Sequence, residues 1–159
     1  MSVYDVLLHE VITEARILNI PVSNNIDPKV TVNSRAKGRF GLCKRKDDRF
    51  KIEISSSLEL AEVHKIKQTL AHEMLHTAPE CFNHQAQWKR YATQMNRAYG
   101  YQISTTNSCA KMGIEEEVGG KYTITCQTCN HKNYRDRVSN VIKHPEKYHC
   151  ACGGRLTVE

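Results

Sequence analysis

Two groups of residues in this chain have the types and spacing to do chemistry. The first is His72-Glu73-Met74-Leu75-His76, an H-E-x-x-H pattern. On a helix, His72 and His76 stand about 40° apart in azimuth and one turn apart along the axis, so their rings converge on one ion. Glu73 projects about 80° from the midline of that pair, which suits a carboxylate that acts on a water and leaves the metal alone. Catalytic zinc takes three protein ligands and keeps a fourth position open. His84, a short loop downstream, is the expected third ligand, and Glu73 the expected general acid/base.

The second group is Cys126-Gln-Thr-Cys129 followed, after 20 intervening residues, by Cys150-Ala-Cys152-Gly-Gly. Two cysteine knuckles at this separation read as a four-thiolate structural zinc site, a zinc ribbon. The C-x-C knuckle is one residue shorter than usual, so its turn must differ, and the two glycines allow backbone N–H groups to approach the sulfurs. A C-x-x-C redox pair would need a βαβ context, which is missing. His149 could replace a cysteine, but four thiolates already complete a tetrahedron. Of the other cysteines, Cys43 lies on an expected strand and reads as a small buried hydrophobe. Cys81, between His76 and His84, is either an uninvolved loop thiol or one that regulates the metal, and Cys109 has no assigned role. His9, His64, His131, His144 and His149 read as surface or structural.

These residues must be positioned by elements that the periodicity predicts. Val3, Val6, Leu7, Val11, Ala15 and Leu18 recur at helical spacing over 3–18, with Ser2 as cap and Pro21 as stop. The β-rich runs KVTV, RFGLC and FKIEI over 30–54 flank a polar turn from Lys44 to Arg49, the pattern of an antiparallel hairpin. Ser55 to Ser57 offers caps for a helix from about Leu58 to Thr77, with Val63, Ile66, Leu70 and Met74 as its apolar stripe. After Pro79, Asn83 can cap a further helix that buries Trp88, Tyr91, Ala92, Met95 and Tyr99. Residues 100–120 are weakly patterned and read as a linker. Boundaries are expected at 1–112 for a metal-bearing domain, 113–120 for the linker and 121–159 for the ribbon, which is too short to build a core without a metal.

Composition narrows the function classes. A chain of 159 residues, 40% apolar and 25% charged, is globular and has room for one domain plus an appendage. No apolar run approaches the roughly 18 residues of a membrane span. The first residues carry Asp5, Glu10 and Glu14 in place of a basic leader, so the expected compartment is the cytoplasm. Seven cysteines, an odd number, suit metal chemistry there better than a disulfide framework. The net charge is +6 with pI near 9.0. Residues 121–159 hold 7 basic and 3 acidic side chains, which places the basic excess in the tail, although four zinc-bound thiolates would remove about two charges of it. Such a balance permits a polyanionic partner without requiring one.

The whole pattern resembles the SprT-like family of zinc metalloproteases, which includes proteases of DNA–protein crosslinks. The resemblance rests on SRAKGRFGLCKRKDDRFKIEIS, on TLAHEMLHTAPECFNHQAQW and on a tail ending in CACGGRL. The family follows H-E-x-x-H with H-G-x-x-[FW]; His84 and Trp88 match it, while Gln85 replaces the usual glycine. It implies an α+β fold, a minimal zincin-like domain of helices and a small antiparallel sheet followed by a zinc ribbon. It implies His72, His76 and His84 as ligands of a catalytic zinc, Glu73 as general acid/base, and Cys126, Cys129, Cys150 and Cys152 around a structural zinc. The strand around Gly41 to Cys43 should then border the cleft, where a peptide could add as a further strand.

The expected function is peptide hydrolysis in protein substrates by a monomer with no membrane partner. DNA is a possible partner through the basic ribbon (Lys132, Arg135, Arg137, Lys143, Lys147, Arg155), single strands being preferred if Tyr134 or Tyr148 stacks on bases. The rivals are a non-enzymatic adaptor that holds both zinc ions structurally, which an intact Glu73 disfavours, and a zinc hydrolase acting on a non-peptide bond.

Overall fold

The computed structural model describes residues 1–107, 109–114 and 120–159. The chain divides into two compact units, Met1–Glu115 and Glu116–Glu159. It has helices and two small sheets, an α+β architecture, and no described helix is long and apolar enough to cross a membrane.

The first unit opens with α1 (Val3–Ile17). Ser2 and Asp5 form a capping box, each side chain accepting from the other's backbone N–H. Asn19, at φ 57°, takes the left-handed turn that ends the helix two residues before Pro21. The face bearing Leu7, Leu8, Val11 and Ala15 is buried.

The sheet orders its strands β1 (Thr31–Asn33), β3 (Arg49–Ser55), β2 (Gly41–Lys46). β2 and β3 form the expected antiparallel hairpin, with a connection narrower than the sequence suggests: Asp47-Asp48 alone, Asp47 at φ 55°. Asp tolerates that conformation. The sheet is mixed, however, because β1 pairs with β3 in parallel. Residues 34–40 carry the chain around the end of β3, from one flank of it to the other, so the three runs do not form one meander.

The helix expected from Leu58 begins later. Ser55 is tied to the sheet by its hydroxyl, which donates to the Ala36 carbonyl and accepts from the Ser57 N–H, and the chain first makes a 3-10 turn over Ser56–Leu60. Ala61 and Glu62 are extended, and α2 runs Val63–Leu75. Val63 is therefore 57% exposed and falls off the apolar stripe. From Gln68 onward every residue of α2 is buried, since the helix packs against α1, α3 and the sheet. The helix α3 (Ala86–Tyr99) ends at Gly100, whose φ of 70° suits glycine. Its cap is Gln85, which makes no side-chain capping bond, and not Asn83; residues 83–85 are used instead to bring His84 toward α2.

Three residues of the stretch read as linker belong to the core. Tyr101, Ile103 and Met112 are buried. The Tyr101 hydroxyl donates to Glu14, the Gln102 N–H to the buried Gln68 side chain, and the Ile103 N–H to Asn96. Met112 closes α4 (Cys109–Met112). Of the expected linker, residues 115–119 lie outside the described residues.

The second unit is a three-stranded antiparallel sheet ordered β5 (Lys132–Arg135), β4 (Tyr122–Cys126), β6 (Leu156–Val158), with a short α5 (Asn140–Lys143) between β5 and β6. Among its described residues only Ile124 and Cys126 are buried hydrophobics. Two side chains, at about 1.5–3 kcal/mol each, cannot offset the ordering of some forty residues.

Candidate metal centres

α2 carries His72, Glu73 and His76 into the interior of the first unit, each less than a tenth exposed. The His72, His76 and His84 ring nitrogens come together, one from each ring, within 4.8 Å of one another. Nδ1 of His76 lies 2.9 Å from the Cys81 carbonyl. A carbonyl only accepts, so Nδ1 carries the proton and Nε2 is left bare as a ligand atom. Cys81 thus acts through its backbone; its thiol is buried and stands outside the trio. Nε2 of His72 faces Nε2 of His84 at 2.9 Å, a juxtaposition that needs a proton or a cation between the two lone pairs.

Electrostatics favour the cation. Burial, aided by the adjacent His76 and His84 rings, presses His72 down to about 3, and the Ser104 backbone opposes the shift. His76 and His84 are lowered as well, mainly by burial. Three neutral imidazoles are the ligating form, and a set of three nitrogens with one side open fits zinc. Trp88, 1% exposed, walls the trio: its ring centre lies 4.8, 5.6 and 4.5 Å from those of His72, His76 and His84.

Glu73 does not join the trio. Burial raises its carboxyl to about 7, against the pull of the Cys43 backbone and the Arg39 charge. It lies beneath β2. A Cβ at Gly41 would stand 2.7 Å from both Cγ and Oε1 of Glu73, so only glycine lets the strand approach this closely. The strand around Gly41 to Cys43 therefore borders the site, and β2 is an edge strand with one side unpaired among the described residues. Cys43 is buried, as a small hydrophobe would be.

Beside His76 opens a cavity of about 790 Å³, bordered by Arg45, Phe50, Thr77, Phe82 and Gln87 among others. Phe82 is 52% exposed. The Cys81 carbonyl, the Ser104 backbone and Phe82 have no legible signature in the sequence, because each acts through a loop conformation. His64 lies elsewhere, stacked on Tyr101 with Nε2 3.1 Å from the Gly100 carbonyl.

In the second unit Cys126, Cys129, Cys150 and Cys152 bring their sulfurs within 4.8 Å of one another. The Cys126–Cys152 and Cys129–Cys150 sulfur pairs lie 3.5 and 3.7 Å apart. Zn–S bonds of about 2.3 Å in a tetrahedron put sulfurs about 3.8 Å apart, so the cluster fits zinc. The Cys129 and Thr128 N–H groups lower the Cys126 thiol, while the neighbouring sulfurs raise that of Cys129 to about 12, so the four become thiolates together only around a cation. The short C-x-C knuckle is accommodated by Gly153, at φ 83°, and by Gly154, where a Cβ would meet Cys126 Sγ at 2.5 Å. His149 forms a bridge with Arg155 and stays outside the cluster. The six expected ribbon cations are exposed, as is Tyr148, while Tyr134 is half-buried.

The model of the SprT-like family matches residues 15–107, a span that contains the three histidines, Glu73 and the whole first sheet. No curated protein matches the chain.

Proposed function

The chain belongs to the SprT-like family, and from that premise we propose that its first unit is a zinc-dependent peptidase acting on protein substrates. The supporting observation is the division of labour around α2: three neutral imidazoles converge, while a buried carboxylate stands beside them, pinned under an edge strand. A purely structural site has no use for that carboxylate. Zinc bound there supplies Lewis acidity toward a carbonyl and lowers the pKa of water toward about 7. The chain's own residues do the rest. His76 is fixed in its tautomer by Cys81, and Trp88 keeps the three rings from turning away. Glu73 accepts the proton of the attacking water and returns it to the leaving amine, and its burial favours holding the proton between the two steps. An extended substrate adds to the free edge of β2, and the cavity beside His76 receives one of its side chains.

The second unit serves as a zinc-stapled module that recruits substrate, its exposed cations and Tyr148 being suited to a DNA strand. Thiolate ligands suit a reducing compartment such as the cytoplasm. The decisive experiment is Glu73→Gln. The variant should keep its zinc and its fold and lose roughly 10²- to 10⁴-fold or more in peptide hydrolysis. Cleavage at the wild-type rate would remove Glu73 from the chemistry and the peptidase reading with it.

A further inference from the structure

The loop between His76 and His84 holds a backbone conformation that its residue type does not suit. Four non-glycine residues have positive φ among the described residues: Asn19, Asp47, Asn130 and Glu80. Asn and Asp visit the left-handed region routinely, because their short polar side chains bond locally. Glu80, at φ 59°, has no such aid, and holding it there costs energy. No side-chain contact offsets that cost: Glu80 is exposed and makes no hydrogen bond or ion pair among the described residues.

The reason lies in the backbone. The Cys81 N–H donates to the Ala78 carbonyl at 3.1 Å, closing a turn with Pro79 second and Glu80 third. Proline second and a positive φ third mark a type II turn, whose third position ordinarily belongs to glycine or asparagine. The turn folds the chain back directly after α2 and delivers Cys81, fully buried, with its carbonyl 2.9 Å from Nδ1 of His76. The near end of the loop is tied as well. The Thr77 hydroxyl donates to the Met74 carbonyl at 2.7 Å and accepts from the Ser23 N–H at 3.2 Å.

We propose that Pro79 and Glu80 are positioning residues for the metal: their turn holds the Cys81 carbonyl on His76, and Glu80 stays strained because a relaxed backbone would swing that carbonyl off the ring. The proposal rests on His76 as a zinc ligand. A carbonyl on Nδ1 fixes the ring plane and raises the basicity of Nε2, and losing an outer partner of this kind costs about 10- to 100-fold in metal affinity. The rival role for Glu80 is through its charge, since it borders the cavity beside His76. The two roles make different demands on substitution.

Three variants of the full chain separate them. Glu80→Gln removes the charge and keeps the backbone preference. Glu80→Gly removes the charge and relaxes the backbone. Glu80→Val removes the charge and, being β-branched, resists positive φ. Each is loaded with cobalt(II) and titrated with a chelator. Intense thiolate-to-metal absorption reports the cysteine cluster, and the remaining bound metal belongs to the histidines. Glu80→Gln and Glu80→Gly should hold that metal within about twofold of the wild type, and Glu80→Val about tenfold or more weakly. Pro79→Gly frees the turn without forcing a clash and should also weaken the site, so it carries the test if Glu80→Val does not fold. A turn with a structural role alone would lower the thermal midpoint of metal-free Glu80→Val and leave the affinity at the histidines unchanged, which overturns the proposal. Equal losses in all three Glu80 variants overturn it in favour of the charge. A wild-type protein that binds one metal ion, at the cysteines only, overturns the ligand reading and the proposal together.

Discussion

Gly41→Ala tests the closest contact in the candidate active site. The added methyl would sit 2.7 Å from Cγ and Oε1 and 3.0 Å from Cδ of Glu73. Carbon contacts become favourable only near 3.5 Å, so the carboxylate must retreat by roughly 0.7–1 Å. The side chain cannot swing into solvent, because it is buried under the strand. A displacement of about 1 Å at a reacting group costs on the order of 10²-fold in rate. The three ligand nitrogens are untouched, so zinc content should be unchanged and the loss should fall on kcat more than on KM. The assay is hydrolysis of an unstructured protein or peptide by zinc-loaded protein, with metal analysis and thermal melting on the same samples. Gly38→Ala is the internal control: its added methyl meets nothing within 4 Å, and it should behave as wild type. If Gly41→Ala keeps its zinc and cleaves at the wild-type rate, then either Glu73 is not held by β2 or its position does not limit the reaction.

Metal analysis of the unaltered protein should give about two zinc ions per chain, with Cys126→Ser losing one and His76→Ala the other. Gly154→Ala, which places a methyl 2.5 Å from Cys126 Sγ, should also lose the second-unit zinc, and amide exchange over residues 120–159 should then rise while the first unit stays protected. Glu53 is held at about 2 by hydrogen bonds from Lys44, then Asn33 and Arg39. A carboxyl lowered in the folded state stabilises the protein above its ordinary value near 4.5, and this contribution disappears as pH falls toward 2. Glu53→Gln should therefore cost about 1 kcal/mol at pH 7, limited by the half-exposed Lys44 and Arg39, and the difference in melting temperature should close on acidification. A constant gap from pH 7 to pH 2 would refute that assignment.

The parts legible in the sequence were those whose signal is carried by spacing along one element. His72 and His76 are one helical turn apart, and any helix there brings their rings together. The paired cysteines work in the same way within two tight turns. Elements with a clean period, such as α1 and the β2–β3 hairpin, were also readable. What the sequence hid depends on contacts between elements. The helix start moved from Leu58 to Val63 because Ser55 is bound to Ala36, 19 residues earlier in the chain. The parallel pairing of β1 leaves no mark in a three-residue run. Residues 101–103 read as linker because their partners, Glu14, Gln68 and Asn96, lie on three different helices.

The charge distribution was legible, but only at the right window. Dividing the chain at residue 120 averages the +6 of residues 35–51 with an acidic remainder, and the tail then looks like the basic part. The same seventeen residues supply Gly41 over Glu73 on one face of the sheet and Lys44 and Lys46 on the other. That division follows from the alternation of a strand: Gly41, Cys43 and Arg45 turn toward α2 and the cavity, and Leu42, Lys44 and Lys46 turn away. One edge strand therefore sets the position of the carboxylate and displays cations on its outer face, without either role constraining the residues of the other. A one-residue slip of β2 against β3 would exchange the two sets, burying Lys44 and removing Gly41 from Glu73. The buried Cys43, between them in the chain, fixes that register, because it is the inward residue of β2 that the core covers.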